Sequence, residues 1–367
     1  MISSKRRTLA TAALVTALAL FAAACGSSKS DTASTATSAP AGASGIDYAS
    51  LSGTLNGSGS TFQKAFDEDA IAAFKDVAPG VTVNYSGGGS GKGKTDLASQ
   101  VTQWAGSDSA VKDADLPTFK GGAILYFPTV GAPVTVSYNL QGVDKLQLSP
   151  ATLAQIFTGK VTTWNAPPIA DDNPGVTLPS TAIVPTVRSD GSGTTSAFTN
   201  YLKAAGGSDW TIEAGDKPTW PTGFGTGNGN AGVAQAIQQT PGSIGYVDYS
   251  DAVASKLALA SIKNQAGTYT APSLASAEAA LQGAKVNANL TVNALNTSGA
   301  DAYPITSATY VIIYQTQPDA GIGNALKGWV NYLLTDAQAL AEGANFAQLP
   351  ANLQQQAVAQ LSQMKIG

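Results

Sequence analysis

From about residue 51 onward, short β-branched runs alternate with segments whose apolar residues fall at helical spacing. This alternation restricts the chain to an α/β architecture, in which helices cover a largely parallel sheet. Phe62, Phe66, Ala70, Phe74 and Val77 mark a helix over 62–77, and Pro79-Gly80 stops it. Residues 81–85 read as a strand. Leu97, Val101 and Trp104, at i, i+4 and i+7, predict a helix over 95–104. Two apolar strands are predicted over 123–130 and 133–138. Further strands fall at 182–187, 243–249 and 305–314, with helices at 153–157, 195–204, 230–239, 322–342 and 350–364. No fixed-period repeat interrupts this order.

The N-terminus has a different character. Lys5, Arg6 and Arg7 precede an apolar run from Leu9 to Ala24, which is short for a membrane span and ends in small residues before Cys25. The pattern is that of a bacterial lipoprotein signal over 1–24, with Cys25 as the lipidated first residue. A plain secretory signal is the alternative, since Ala22 stands where such signals usually carry Leu. Arg6-Arg7 also fits twin-arginine export. Residues 25–46, rich in Ser, Thr, Ala and Gly, read as a tether. Localisation on the extracytoplasmic face of the cell membrane follows.

Among 367 residues there is no histidine, and Cys25 is the one cysteine. Ser-His-Asp and Cys-His catalysis, histidine metal sites and a disulfide framework are therefore excluded. Without residues 1–24, the 20 Lys and Arg lose Lys5, Arg6 and Arg7 while the 24 Asp and Glu all remain, a balance of −7. Such a chain is not suited to nucleic acid. A small anion is still admissible, because a buried site works through local donors.

Three turns combine small residues with a helix start: Gly57–Phe62 (GSGSTF), Gly87–Gly91 (GGGSG) and Arg188–Thr195 (RSDGSGTT). A helix N-terminus presents unpaired N–H groups and a partial positive charge. Glycine lets an anion approach the backbone, and Ser or Thr adds a hydroxyl. One such turn is ordinarily just a capped helix. Three, one with an arginine, describe a site that surrounds an oxyanion. Arg188 offers a planar fork of donors for two oxygens. Asp190 reads as an Asx-turn residue, a partner that fixes the guanidinium, or both. Asp108, in a small-residue turn, is either a solvent-facing turn residue or an acceptor for a protonated oxyanion. Phosphate near neutral pH carries an O–H and sulfate carries none, so a buried carboxylate would discriminate between them. At the second turn, Ser86 and Ser90 are equally placed to supply the hydroxyl.

The sequence resembles the phosphate-binding subunit of the bacterial Pst phosphate ABC transporter from about Leu51 to the C-terminus. RSDGSGTT carries the resemblance most specifically. GSGSTF (Gly57–Phe62), WAGSDSAV (Trp104–Val111), FTGKVTTWN (Phe157–Asn165), GSIGYVDYS (Gly242–Ser250) and DAYPITSATYVI (Asp301–Ile312) support it in order and spacing. The resemblance implies a two-lobed α/β fold of the periplasmic-binding-protein type (type II), with two hinge strands and a ligand cleft. Its lobes would be 47–131 with 261–367, and 132–260, with crossings near 130–136 and 258–263. It implies a phosphate site of Thr61, the backbone N–H of Phe62, Ser90, Asp108, Arg188, Ser192, Gly193 and Thr194, with Asp190 supporting Arg188. It further implies a monomer without cofactor or metal that hands phosphate to membrane permease subunits, and no enzymatic turnover. Two departures stand out. Gln63-Lys64 replaces a Pro-containing stretch, and Lys92 and Lys94 replace small or apolar residues and are expected to face solvent.

Three other readings compete. Gly88–Thr95 fits the P-loop pattern G-x-x-x-x-G-K-[ST] after a strand, but its one Walker-B-like carboxylate is Asp248, and an exported chain meets little ATP. A secreted phosphate-ester hydrolase would have to work without histidine. A binding protein for sulfate or molybdate differs at Asp108, where a fully deprotonated anion is repelled.

Overall fold

The computed structural model describes residues 45–367. The expected leader, Cys25 and nearly all of the tether lie outside the described residues. The alternation of segments becomes a nine-stranded mixed sheet. Its strands are β1 (Gly53–Gly59), β2 (Val81–Gly87), β3 (Trp104–Ser107), β4 (Ile124–Tyr138), β5 (Val184–Arg188), β6 (Gly225–Gly227), β7 (Ser243–Asp248), β8 (Ala258–Leu259) and β9 (Thr306–Tyr314). Their order is β2-β1-β3-β9-β4-β7-β5-β6, with β8 pairing β4 beside this path. Strands β1, β2 and β3 run parallel on one side, and β5, β6 and β7 run parallel on the other.

Strand β4 joins the two halves. The sequence predicts two strands here, and the structure has one, 15 residues long. Gly131, Ala132 and Pro133 stay in register against Ala308, Ser307 and Thr306 of β9. From Val134 to Tyr138 the partner changes to β7. Pro133, which has no N–H, sits where one ladder hands over to the next, a position where its missing hydrogen bond costs little. Residues 258–259 pair with Ser137 and Tyr138, and Ser261–Lys263 pairs with Gln147–Leu148.

Helices α1 (Lys64–Val77) and α2 (Ser90–Ala98) follow β1 and β2. Phe66, Ala70 and Phe74 of α1 are buried, as their spacing requires. Phe74 meets Trp329 at 5.2 Å between rings. The expected helix over 95–104 is a mistake of position. Gln100 takes φ +59, Val101 N–H bonds Asp96 O, and Gln100 N–H bonds Leu97 O. This is a Schellman stop with glutamine in place of the usual glycine, which is why the stop is not visible in sequence. Trp104 instead opens β3, buried and stacked on Tyr85 at 4.8 Å.

In the other half, α3 (Gly193–Ala205) follows β5, and α4 (Gly229–Gln239) follows β6. Phe198 of α3 stacks on Tyr246 of β7 at 4.6 Å. Near the C-terminus, the predicted helix over 322–342 is α5 (Ala320–Leu334) followed by a 3-10 turn over Asp336–Leu340. Among the described residues no helix is long and apolar enough to cross a membrane.

Candidate anion-binding site

Parallel strands deliver their carboxyl ends to one place, and the loops there begin helices. β1 ends before Ser60-Thr61, β2 before Ser90 and β3 before Asp108. From the other half, β5 ends on Arg188 and β6 before Gly229-Asn230. The two sets of ends face each other. Gly91 N–H donates to Gly191 O at 2.9 Å. The backbone and side-chain N–H groups of Asn230 both donate to Thr61 Oγ1 at 3.2 Å. Two glycines are required by this approach. A Cβ at Gly89, which has φ +87, would lie 2.2 Å from Asp190 Oδ2, and one at Gly193 would lie 2.6 Å from Ser90 Oγ.

Asp108 is buried at the centre. Its Oδ1 accepts from Ser60 Oγ at 2.5 Å and Thr309 Oγ1 at 2.8 Å. Its Oδ2 has one long bond, from Ser90 Oγ at 3.4 Å. One carboxylate oxygen is thus saturated and the other has acceptor capacity to spare. Burial pushes the Asp108 carboxyl up to about 6, against the lowering effect of the Ser60 and Thr309 bonds and the Arg188 charge. The group is mainly ionised at pH 7. The solvent-facing alternative for Asp108 does not hold.

Arg188 is buried to within 1% of its side-chain surface and forks onto Asp190, Nε to Oδ1 at 2.8 Å and Nη2 to Oδ2 at 2.5 Å. Burial raises the Asp190 carboxyl, but the Arg188 bonds and charge outweigh it and hold the group below its ordinary value. Asp190 Oδ1 also accepts Gly229 N–H at 3.1 Å, whereas Ser192 N–H, the donor an Asx-turn at Asp190 would use, bonds Asp216 O, so Asp190 braces the guanidinium and forms no Asx-turn. Nη1 reaches Thr194 Oγ1 at 3.5 Å. One hydrogen on each nitrogen is used, leaving two of the five guanidinium donors for a ligand.

The remaining expected residues gather at the same place. Ser192 Oγ caps α3 by accepting Thr195 N–H at 3.1 Å, with Gly193 and Thr194 in the first turn behind it. Phe62 N–H is engaged by Ser60 Oγ at 3.0 Å. Of the two serines, Ser90 is buried and faces Asp108, while Ser86 is exposed.

Lys92 faces solvent and pairs with Asp96 on its own helix. Lys94 does not face solvent. Its Nζ lies 2.6 Å from Asp216 of the other half and 2.9 Å from Ser109 Oγ. Helix α2 starts at Ser90, four residues before Lys94, and this turns Lys94 toward the opposite half. Asp216 O in turn accepts Ser192 N–H, so one residue ties Lys94 to the third turn. The P-loop reading loses both its charged residues: Lys94 is engaged here, and Asp248 caps a short helix over Tyr249–Ala254 by accepting Asp251 N–H.

Sequence reasoning missed Ser60, Asn230 and Thr309. Ser60 and Thr309 lie inside stretches that carry the family resemblance, and Asn230 follows a fourth glycine-rich turn before a helix, 225–229. Those were available signals.

Residues 32–337 match the PBP superfamily domain. The chain is 33% identical over 361 residues to the phosphate-binding protein PstS2 of Mycobacterium bovis, spanning 95% of this chain and 96% of that protein. It is 32% identical over 313 residues to the phosphate-binding protein PstS of Pasteurella multocida, spanning 84% and 89%. Its fold matches that of a high-affinity periplasmic phosphate-binding protein (PfluDING) solved with phosphate, with TM-score 0.69, 24% identity, and coverage of 84% and 93%. The chain is a two-lobed member of the PBP superfamily and belongs to the PstS family.

Proposed function

We propose that the chain binds inorganic phosphate outside the cytoplasm and delivers it to the permease of an ABC importer, as a monomer without cofactor. The observation that carries this reading is Asp108 beside Arg188. The arginine favours an anion, and the half-used carboxylate Oδ2 demands that the anion bring a proton. The names of the relatives point the same way. Thr61, Ser90, Ser192, Gly193 and Thr194 complete the donor set, with Asp190 as the brace of Arg188, and Phe62 N–H joins it by exchanging its bond to Ser60 Oγ for one to the ligand. A sulfate or molybdate reading would leave Asp108 facing bare acceptors.

We assign 47–131 and 261–367 to one lobe and 132–260 to the other. The hand-over at Pro133–Val134 supports the first boundary. The pairing of Ser261–Lys263 with Gln147–Leu148 argues for moving the second to just after Lys263. The site then needs donors from both lobes, so ligand favours closure.

Calorimetry and small-angle scattering of the purified protein test both statements. Phosphate and arsenate, which carry an O–H, are expected to bind and to contract the protein, and the phosphate must be recovered unchanged. Displacement of phosphate by equimolar sulfate would overturn the reading. The basic n-region, the apolar run and the small residues before Cys25 support a lipid anchor there. Cys25→Ser should release the protein from membranes in cell fractionation, and unaltered membrane retention would remove the anchor.

A further inference from the structure

Behind Asp108 lies a second buried carboxyl that binds no ligand directly. Thr309 Oγ1, central in β9, stands 2.8 Å from Asp108 Oδ1, 3.3 Å from Ser107 O and 2.5 Å from the amide end of Gln63. The other amide end of Gln63 stands 2.8 Å from Asp67 Oδ2, one turn into α1. Thr309, Gln63 and Asp67 are all fully buried.

A threonine hydroxyl has one hydrogen, and three acceptors cannot share it. If it goes to the ionised Asp108, a Gln63 oxygen at 2.5 Å would oppose the Thr309 lone pairs in a place closed to solvent. A half-turn of the amide removes the conflict, since its oxygen and nitrogen ends have the same shape. The amide nitrogen then donates to Thr309, and the amide oxygen faces Asp67. That oxygen requires a donor, and Asp67 supplies one only as a carboxylic acid.

The opposite polarity puts the proton on Asp108 and the charge on Asp67. Electrostatics chooses between the two. Asp108 has the Arg188 cation and two hydroxyl donors. Asp67 has only the Gln63 amide, its Oδ1 has no partner, and burial, Asp108 and Glu68 all favour its neutral form.

We propose that Asp67, as a neutral acid, and Gln63 are positioning residues that aim the Thr309 hydroxyl at Asp108. Asp108 is thereby kept an acceptor whose Oδ2 is left for the O–H of the ligand. The relay runs Asp67 O–H to Gln63 Oε1, Gln63 Nε2–H to Thr309 Oγ1, and Thr309 O–H to Asp108 Oδ1, with each donor matched to one acceptor. This rests on the reading of the site as one for a protonated oxyanion.

The test compares Asp67→Leu with Asp67→Asn, using phosphate and sulfate in calorimetry and infrared difference spectra at neutral pH. Leu cannot donate to Gln63, so the phosphate-to-sulfate affinity ratio should fall about tenfold, the worth of one hydrogen bond to a charged group. Asn keeps an N–H donor and should restore the ratio to within about threefold. A protonated-carboxyl band should be present in the native protein and lost in Asp67→Asn. The inference is overturned if that band is unchanged, or if Asn loses as much as Leu. It is also overturned if native protein binds phosphate selectively and Asp67→Leu does so equally well. A native protein that binds no phosphate would overturn the functional reading itself, and the infrared band would still report the state of Asp67.

Discussion

Arg188→Ala is expected to weaken phosphate binding by about two to three orders of magnitude in calorimetry. The estimate follows from removing one partner of a buried ion pair, which costs about 3–5 kcal/mol, with 1.4 kcal/mol for each tenfold. Three effects combine. The ligand loses the two guanidinium donors that Asp190 and Thr194 leave free. The dianion loses the buried positive charge at the centre of the site. Asp190 remains as an uncompensated carboxylate where the arginine had held it ionised, and it repels the ligand. Arg188→Lys separates charge from geometry. It keeps the cation but cannot fork onto both Asp190 oxygens, so its loss should be intermediate. Adding Asp190→Asn to Arg188→Ala should recover stability in thermal unfolding and only part of the affinity, because the repelling charge is gone but the donors and the cation are not returned. An Arg188→Ala protein that binds phosphate within about twofold of native would remove Arg188 from the site.

The parts of this site that were legible in the sequence share one property: they depend on local chemistry. Glycine and serine before a helix, as at Gly193 and Ser192, announce a helix start without any knowledge of the partner strand. Phe66, Ala70 and Phe74 announce a buried face for the same reason. What was not legible depends on register between distant segments. Thr309 reaches Asp108 across about 200 residues only because β9 is inserted antiparallel between β3 and β4. The stretch is marked in sequence, but Thr309 is one of three Ser and Thr residues in this strand, with Thr306 and Ser307, and nothing local tells which hydroxyl matters. Lys94 reads as a solvent residue because helix phase was set too late. A helix starting at Ser90, rather than near Thr95, turns Lys94 toward Asp216. The same misplaced helix absorbed Trp104, whose spacing from Leu97 is accidental. Glutamine in the left-handed position at 100 concealed the true stop.

Asp108→Asn should collapse the discrimination between phosphate and sulfate by about a hundredfold or more, while stabilising the empty protein. Both effects arise from the same carboxylate. In the native site, Asp108 Oδ2 can accept the O–H of HPO₄²⁻ or H₂PO₄⁻ but meets only lone pairs on sulfate. An Asn Nδ2 turned toward the ligand donates instead, so sulfate gains a bond and phosphate loses one. Two bonds to charged groups change sides, each worth about 1.5–3 kcal/mol. The Ser60 and Thr309 hydroxyls still have the Asn oxygen to donate to, so the brace behind the site survives. Stability moves the other way. Folding raises the Asp108 carboxyl from 3.8 to about 6, so the folded state is penalised wherever the group must be ionised. The penalty is complete above pH 6 and, at roughly 1.4 kcal/mol per unit, amounts to about 3 kcal/mol. It disappears as the pH falls from 6 to about 4. Ligand-free Asp108→Asn should therefore unfold at a higher midpoint than native at pH 7–8, with the gap closing toward pH 4. An unaltered phosphate-to-sulfate ratio, or a gap that does not depend on pH, would show that Asp108 does not set selectivity through its charge.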